Sequence, residues 1–322
     1  MSDGMERTTL VTGASGFLGA HVVAAACARS QREGTFSDPL GPLVVAQTRS
    51  PALLAPRFTT PRDAAQWIET ELLDGGAERL LDRVRPTEVI HCAALSRAAA
   101  CEEDSELAQA LNGVLPGLIA AWCQAHGARL IHVSTDLVFG AEDAPKGGFK
   151  ETATPAPVST YGVTKLAGER AALSAYPDTT IARLPLLYGN SGGRGLGASD
   201  SILEQVERSE SPRLFVDEWR TPLEVTNAAA ALIELLDFDH PGPIHLAGTT
   251  RTSRYDFGIA VLRAMGMPEP EARAEITPTL QSDLPTKAPR PKDVSLNATL
   301  AQTHLTTPLQ SLKQGLTTAL GE

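Results

Sequence analysis

Tyr161 and Lys165 stand four residues apart in the run Tyr161-Gly162-Val163-Thr164-Lys165, a spacing that puts a phenol and an ammonium on one face of a helix. A phenol with an ordinary pKa of about 10 is a poor acid–base group at neutral pH. A neighbouring cation favours the phenolate and lowers that value, so the two side chains are expected to act as a unit. The segment Val133-Ser134-Thr135-Asp136 ends an apolar run. It would project the hydroxyl of Thr135 from the carboxyl end of a strand, where open α/β sheets bind ligands.

A second constellation is Thr12-Gly13-Ala14-Ser15-Gly16-Phe17-Leu18-Gly19, between a short apolar run and an Ala-rich stretch. Gly13 permits the tight turn of a dinucleotide-binding loop, and Gly16 lets a pyrophosphate approach the backbone. Gly19 allows a helix to pack closely on the strand, with the phosphates at the helix N-terminus. The bland alternative is a strand-to-helix turn with incidental glycines. The next strand ends in Gln47-Thr48-Arg49-Ser50, where an NAD-selective protein would place an acid on the adenosine ribose. A guanidinium there can pair with a 2′-phosphate, so the expected cofactor is NADPH/NADP, with NADH as the alternative. Otherwise Arg49 is a solvated surface residue.

The elements that must position these groups follow from alternation. Short β-branched or aliphatic runs at Thr8–Thr12, Leu43–Thr48, 88–92, 129–134, Thr180–Leu184 and 244–246 alternate with helix candidates at 21–30, 77–85, 106–126 and 159–176. That is the pattern of βαβ units feeding a parallel sheet buried on both faces. The predicted fold is α/β, a Rossmann-type doubly wound parallel sheet with a smaller α/β substrate-binding lobe. Residues 1–187, with 221–248 returning, would form the dinucleotide-binding domain, and 188–220 with 249–322 the second lobe. Residues 188–199, rich in Gly and Ser, read as a loop, and 214–216 as a strand. Pro278, Pro285, Pro289 and Pro291 predict an extended, wrapping tail.

With 322 residues, 42% hydrophobic and 20% charged, the composition is that of a globular protein rather than a disordered or collagenous one. A formal net charge of −10 argues against a general nucleic-acid or anionic-membrane binder. Cys27, Cys92, Cys101 and Cys123 are widely spaced with no C-x-x-C pair, which disfavours a zinc site or redox pair and suggests a reducing compartment. The N-terminal residues are polar, and no window reaches the roughly 20 apolar residues of a membrane helix. A cytoplasmic location is expected. No metal site is expected, and His91, His132 and Cys92 read as core residues. The run Glu102-Glu103-Asp104 reads as a solvated helix start that suits the helix dipole.

These residues resemble the extended short-chain dehydrogenase/reductases, and among them the dTDP-4-dehydrorhamnose reductase-like branch. The matching segments are 12–19, Val89-Ile90-His91-Cys92-Ala93-Ala94, 134–140, 161–169, Arg183-Leu184-Pro185-Leu186-Leu187-Tyr188-Gly189 and Arg290-Pro291-Lys292-Asp293-Val294-Ser295-Leu296. The resemblance implies Thr135, Tyr161 and Lys165 as the catalytic residues, with Asn112 nearby. For the cofactor it implies Gly13, Ser15, Gly16, Phe17, Leu18 and Gly19, with Arg49, Glu71, Leu72, Ala93 and Ala94, besides Tyr161 and Lys165. The implied reaction is hydride transfer to a carbonyl, with Tyr161 donating the proton, Thr135 bonding the same oxygen, and Lys165 holding the nicotinamide ribose and depressing the pKa of Tyr161.

Related dehydratases carry an Asp-Glu pair after the strand-end Thr, whereas this chain has Asp136-Leu137, so simple reduction is favoured over proton abstraction. The leading substrate is the 4-ketone of a nucleotide-linked deoxysugar, with another small carbonyl compound as the alternative. Ser96, Arg220, Arg254 and Arg290 are the expected substrate-binding residues, the arginines gripping phosphate or serving as salt bridges instead. Trp219 would stack on a base or fill the lobe interface. Leu186 stands where an aromatic platform is usual. Segments 183–189 and 217–222 also resemble the branch of the methionine adenosyltransferase beta regulatory subunit, so an NADP-binding, non-catalytic subunit is the second reading. Relatives imply a possible homodimer through paired helices.

Overall fold

The computed structural model describes residues 7–32, 43–50 and 64–320; residues 1–6, part of the polar N-terminus noted above, lie outside them. The first half runs β1 (Thr8–Thr12), α1 (Phe17–Arg32), β2 (Leu43–Thr48), β3 (Gln66–Glu69), α2 (Gly76–Val84), β4 (Glu88–His91), α3 (Ala98–Glu103), α4 (Ser105–Ala108), a π-helical turn over Gln109–Val114, α5 (Leu115–His126), β5 (Arg129–Thr135), α6 (Thr160–Ala175), β6 (Thr180–Leu184) and β7 (Leu187–Tyr188). It continues through α7 (Ala198–Glu207), β8 (Arg213–Phe215), β9 (Trp219–Arg220), β10 (Leu223–Glu224), α8 (Val225–Glu234), β11 (Gly242–His245), β12 (Thr252–Ser253), α9 (Arg254–Ala264), α10 (Glu269–Glu275), β13 (Thr277–Thr279), α11 (Thr299–His304) and α12 (Leu312–Leu320).

Seven strands form one sheet in the order β11-β6-β5-β4-β1-β2-β3, all parallel. The fold is the Rossmann-type α/β class that the alternation predicted. Every residue of β4 and β6 is buried, because helices cover both faces. Val22, Val23 and Ala26 of α1 join Ala228, Ala229 and Leu232 of α8 in one apolar cluster, while Leu80, Leu115 and Ile119 of α2 and α5 join the other. A third cluster, around Tyr188, Ile202, Leu214 and Phe257, lies outside the sheet and is built mainly on α7, α9 and α12.

The sheet strands fall where expected to within about two residues, and β3 was missed. Two differences bear on the site. The expected helix over 106–126 is interrupted by the π turn. Pro116 has no N–H to give the Asn112 carbonyl four residues back, and a Cβ on Gly168 of α6 would stand 2.0 Å from that carbonyl oxygen. The extra backbone in the turn thus lets α6 press directly on it. The segment read as a loop over 188–199 begins as β7, which pairs with β10, and ends as α7. Between Leu284 and Ala298 the tail forms no helix, in keeping with its prolines, and adds bridges from Leu296 to Phe149 and from Asp293 to Trp219.

Candidate active site

The glycine loop sits directly on the end of β4. Gly13 has φ +65°, and a Cβ there would stand 2.7 Å from Ala93 Cα, while a Cβ on Gly19 would stand 2.2 Å from Gly13 O. Only glycine tolerates both approaches. Gln47, buried at the end of β2, organises the turn: its Oε1 accepts from Gly13 N at 2.8 Å and its Nε2 donates to Thr70 O at 2.7 Å. Ser15 Oγ accepts from Thr48 Oγ1 at 2.9 Å. Nothing in the strand's apolar pattern marked Gln47 for this task.

Helix α6 carries the phenol and the ammonium, and its placement is over-determined. Ser159 caps its N-terminus, accepting from Gly162 N at 3.2 Å. A Cβ on Gly162 would meet Leu137 O at 2.1 Å, so the helix rests on the backbone just after β5. Glu102 adds a second cap, its carboxylate accepting from Thr160 N at 2.8 Å and from Thr160 Oγ1 at 2.6 Å. The acidic run is thus not simply solvated: Glu102 caps α6, Asp104 caps α4 by accepting from Leu107 N, and Glu103 pairs with Lys287. Replacing Glu102 with Ala is expected to lower stability by about 1 kcal/mol, the usual worth of an N-cap, and thermal melting against Glu102→Gln checks it.

Asn112, fully buried in the π turn, clamps the strand-end loop by accepting from Leu95 N at 2.9 Å and donating to Leu95 O at 3.1 Å. It also donates to Thr164 Oγ1 at 3.3 Å. Lys165, 2% exposed, donates to Val133 O at 2.7 Å, with its Nζ 3.4 Å from His132 Nε2. The two core histidines stack on each other at 5.3 Å; burial, reinforced by the Lys165 charge, lowers both pKa values and keeps the rings neutral. They are core groups, as expected, though among the described residues His91 Nε2 and His132 Nδ1 have no hydrogen-bond partner. Burial likewise raises the Cys92 thiol to about 12.

The expectation that Lys165 depresses the Tyr161 pKa does not hold in the free protein. Burial raises the phenol above its ordinary value first and the Asp136 charge adds to it, while its hydrogen bond with Thr135 acts the other way. The lysine charge is directed to Val133 O instead. Tyr161 is therefore held protonated, the form required of a proton donor. Burial lowers Lys165 to about 8, offset in part by Glu169 and Cys92. Since an unfolded lysine titrates near 10.4, the folded state binds fewer protons between those values, and stability rises with pH across that window. Melting of wild type against Lys165→Met from pH 7 to 10.5 should show wild type gaining, by up to about 3 kcal/mol.

Asp136 follows Thr135 and is 3% exposed. Its Oδ1 accepts from Thr135 Oγ1 at 3.1 Å, and its Oδ2 lies 3.6 Å from Arg220 Nε. Burial lifts this carboxyl to about 6, against the pull of Arg220 and Thr135. Glu218, also unmarked by the sequence reading, is the hub of three arginines. Arg290 reaches it through Nε at 2.6 Å and Nη2 at 3.0 Å, Arg220 at 3.2 Å and Arg254 at 4.0 Å. Burial opposes its charge, but Arg220, Arg290 and Arg254 outweigh that and hold its carboxyl below the ordinary value. Each of these arginines is in an ion pair, and each also borders the cleft. Trp219 is half-buried, and the Arg251 guanidinium stacks on its ring at 3.9 Å.

One cleft of about 870 Å³ gathers these groups. It is lined by the glycine loop, by Arg49, Glu71 and Leu72, by Ala93, Ala94 and Ser96, by Thr135, Tyr161 and Lys165, and by Leu186, Arg220, Arg254 and Arg290. All the site residues expected from the sequence are thus brought to one concavity. Arg194 also lines it, from the loop between β7 and α7. Among the described residues no group of three or more His, Cys, Asp or Glu could hold a metal ion, and no helix is long and apolar enough to cross a membrane.

The model of the RmlD substrate binding domain family matches residues 7–322. A probable low-salt glycan biosynthesis reductase of Haloferax volcanii is 33% identical over 284 residues, 88% of this chain and 87% of that protein. A dTDP-4-dehydrorhamnose reductase of Mycolicibacterium smegmatis is 34% identical over 242 residues, 72% of this chain and 69% of that one. Among solved structures, dTDP-4-dehydrorhamnose reductase of Bacillus anthracis in complex with NADP has the same fold, with a TM-score of 0.76 over 99% of both chains at 22% identity.

Proposed function

We propose that this chain, which belongs to the RmlD substrate binding domain family, is an NADP(H)-dependent reductase of a ketone, with the 4-keto group of a nucleotide-linked deoxysugar as its leading substrate. One observation carries the reading. Thr135, Tyr161 and Lys165 line the same cleft as the glycine loop and Arg220, Arg254 and Arg290. The names of the Haloferax and Mycolicibacterium relatives, both reductases, point the same way.

The donor set fits a dinucleotide. Gly13, Ser15, Gly16, Phe17, Leu18 and Gly19 would hold the pyrophosphate at the start of α1, whose first amides have no carbonyl behind them. Arg49, Glu71 and Leu72 would take the adenosine end, and Ala93, Ala94, Tyr161 and Lys165 the nicotinamide ribose. When bound, NADPH supplies the hydride. The chain's own residues do the rest. Tyr161 gives its proton to the carbonyl oxygen, Thr135 bonds that oxygen, and Lys165 presents its charge below pH about 8. Ser96, Arg220, Arg254 and Arg290 would hold the substrate, with Glu218 keeping the three guanidinium groups together.

The division into 1–187 with 221–248, and 188–220 with 249–322, belongs to the same reading and is supported by the separate apolar cluster outside the sheet. Four unpaired cysteines support a cytoplasmic setting. A homodimer through α5, the π turn before it and α6 is supported by Leu118, Val114 and Val163, which are 46%, 50% and 51% exposed.

Fluorescence titration with NADPH and NADH, followed by a panel of nucleotide-sugar ketones with cofactor absorbance monitored, tests the function. Oxidation of NADPH on one ketone is the expected result. Tight binding with no oxidation across the panel would favour the regulatory-subunit reading. Arg49→Ala is expected to weaken NADPH roughly tenfold and NADH hardly at all, checked in the same titration.

A further inference from the structure

The loop between β7 and α7 reaches from the second lobe onto the glycine loop. It is tightly wound, with Gly192, Gly193 and Gly195 at φ +69°, +78° and +63°. Ser191 Oγ gathers it by accepting from Arg194 N at 3.1 Å and from Leu196 N at 3.3 Å. This frame aims Arg194. Its Nε donates to Ser191 O at 3.1 Å, and its Nη1 donates at 2.5 Å to the carbonyl of Ser15, in the middle of the glycine loop. The same loop also packs against the start of α1, for a Cβ on Gly197 would stand 3.0 Å from Phe17 Cζ.

Three of the glycine loop's own amides are already engaged, which leaves an anion the first amides of α1. Gly13 N is spent on Gln47 Oε1 at 2.8 Å, Ala14 N on Gln47 O at 2.9 Å and Gly16 N on Gly13 O at 2.9 Å. The other cations lining the cleft are placed elsewhere: Lys165 at Val133 O, the arginines of the second lobe around Glu218, Arg49 at the end of β2 and Arg97 just before α3. Among the described residues, Arg194 is the cleft cation hydrogen-bonded to the glycine loop itself.

We propose that Arg194 is a diphosphate-binding residue of the dinucleotide site, a cation delivered by the second lobe to the start of α1. This rests on the reading that the cleft binds NADP(H), and it divides the phosphates between two arginines. Arg194 serves the diphosphate common to NADPH and NADH, and Arg49 serves the 2′-phosphate that only NADPH carries. A planar guanidinium suits the first task, since it can hold the Ser15 carbonyl with one edge and a phosphate with another.

Calorimetric titration of the full chain with NADPH, NADH and adenosine 2′-monophosphate tests the assignment, using wild type, Arg194→Met and Arg194→Lys. Arg194→Met is expected to weaken NADPH and NADH alike by about tenfold and to leave adenosine 2′-monophosphate, which has no diphosphate, unchanged. Arg194→Lys should recover part of the loss. Unchanged NADPH affinity in Arg194→Met would overturn the proposal, as would an equal loss for all three probes, which is the mark of a collapsed loop. Wild type that binds neither dinucleotide would overturn the cofactor reading itself, and the proposal with it.

Discussion

Tyr161→Phe is expected to reduce turnover by about a hundred- to ten-thousandfold, the usual worth of a positioned proton donor, while NADPH affinity stays nearly constant. The substitution removes one oxygen and leaves the ring in place, and Lys165 keeps its bond to Val133 O. Burial and the Asp136 charge hold the phenol protonated in the free protein, so the hydroxyl proton is available at neutral pH without a further ionisation. Single-turnover reduction with NADPH in excess would read the chemical step separately from binding. Turnover within a few-fold of wild type would remove Tyr161 from the mechanism and with it the ketone-reductase assignment.

Arg183→Met should be the most destabilising of these changes, by about 3–5 kcal/mol. Glu169 follows Tyr161 and Lys165 on the same face of α6, at the next four-residue step. Arg183 on β6 grips its carboxylate through Nε at 2.9 Å and Nη2 at 2.7 Å, and Ser134 Oγ adds a bond at 2.5 Å. Both side chains are 4% exposed. The guanidinium is further placed by neutral His245, whose Nε2 lies 3.4 Å away, and by the Phe139 ring at 5.3 Å. Removing the arginine leaves a buried carboxylate without its ion-pair partner. The double variant Arg183→Met/Glu169→Leu removes both charges and should regain most of the loss. Equal melting temperatures for Arg183→Met and wild type would show that this pair does not anchor α6.

The glycine loop, the Tyr-Lys pair and the strand-end threonine could be read without coordinates because each rests on short-range geometry. A turn that needs positive φ at Gly13, a helix whose face repeats every four residues and an apolar strand all leave their mark within a few positions of sequence. The central sheet was legible for the same reason, since strands buried on both faces read as continuous apolar runs. Elements without that signature were missed or misplaced: β3, only partly buried, and α7, whose start follows a glycine-rich loop.

What only the tertiary structure decided is which charges face one another. Glu218 at the centre of three arginines, Glu102 on the N-terminus of α6, Gln47 under the glycine loop and Arg194 at Ser15 O join residues 34 to 179 positions apart or gather separate segments. No local pattern records such pairings, because a carboxylate or guanidinium on a surface loop and one in a buried network are the same letter. The direction of the Tyr161 shift was decided in the same way. Sequence spacing put a cation on its helix face, but in the fold burial and the carboxylate of Asp136 raise the phenol, and the opposing pull comes from the Thr135 hydrogen bond.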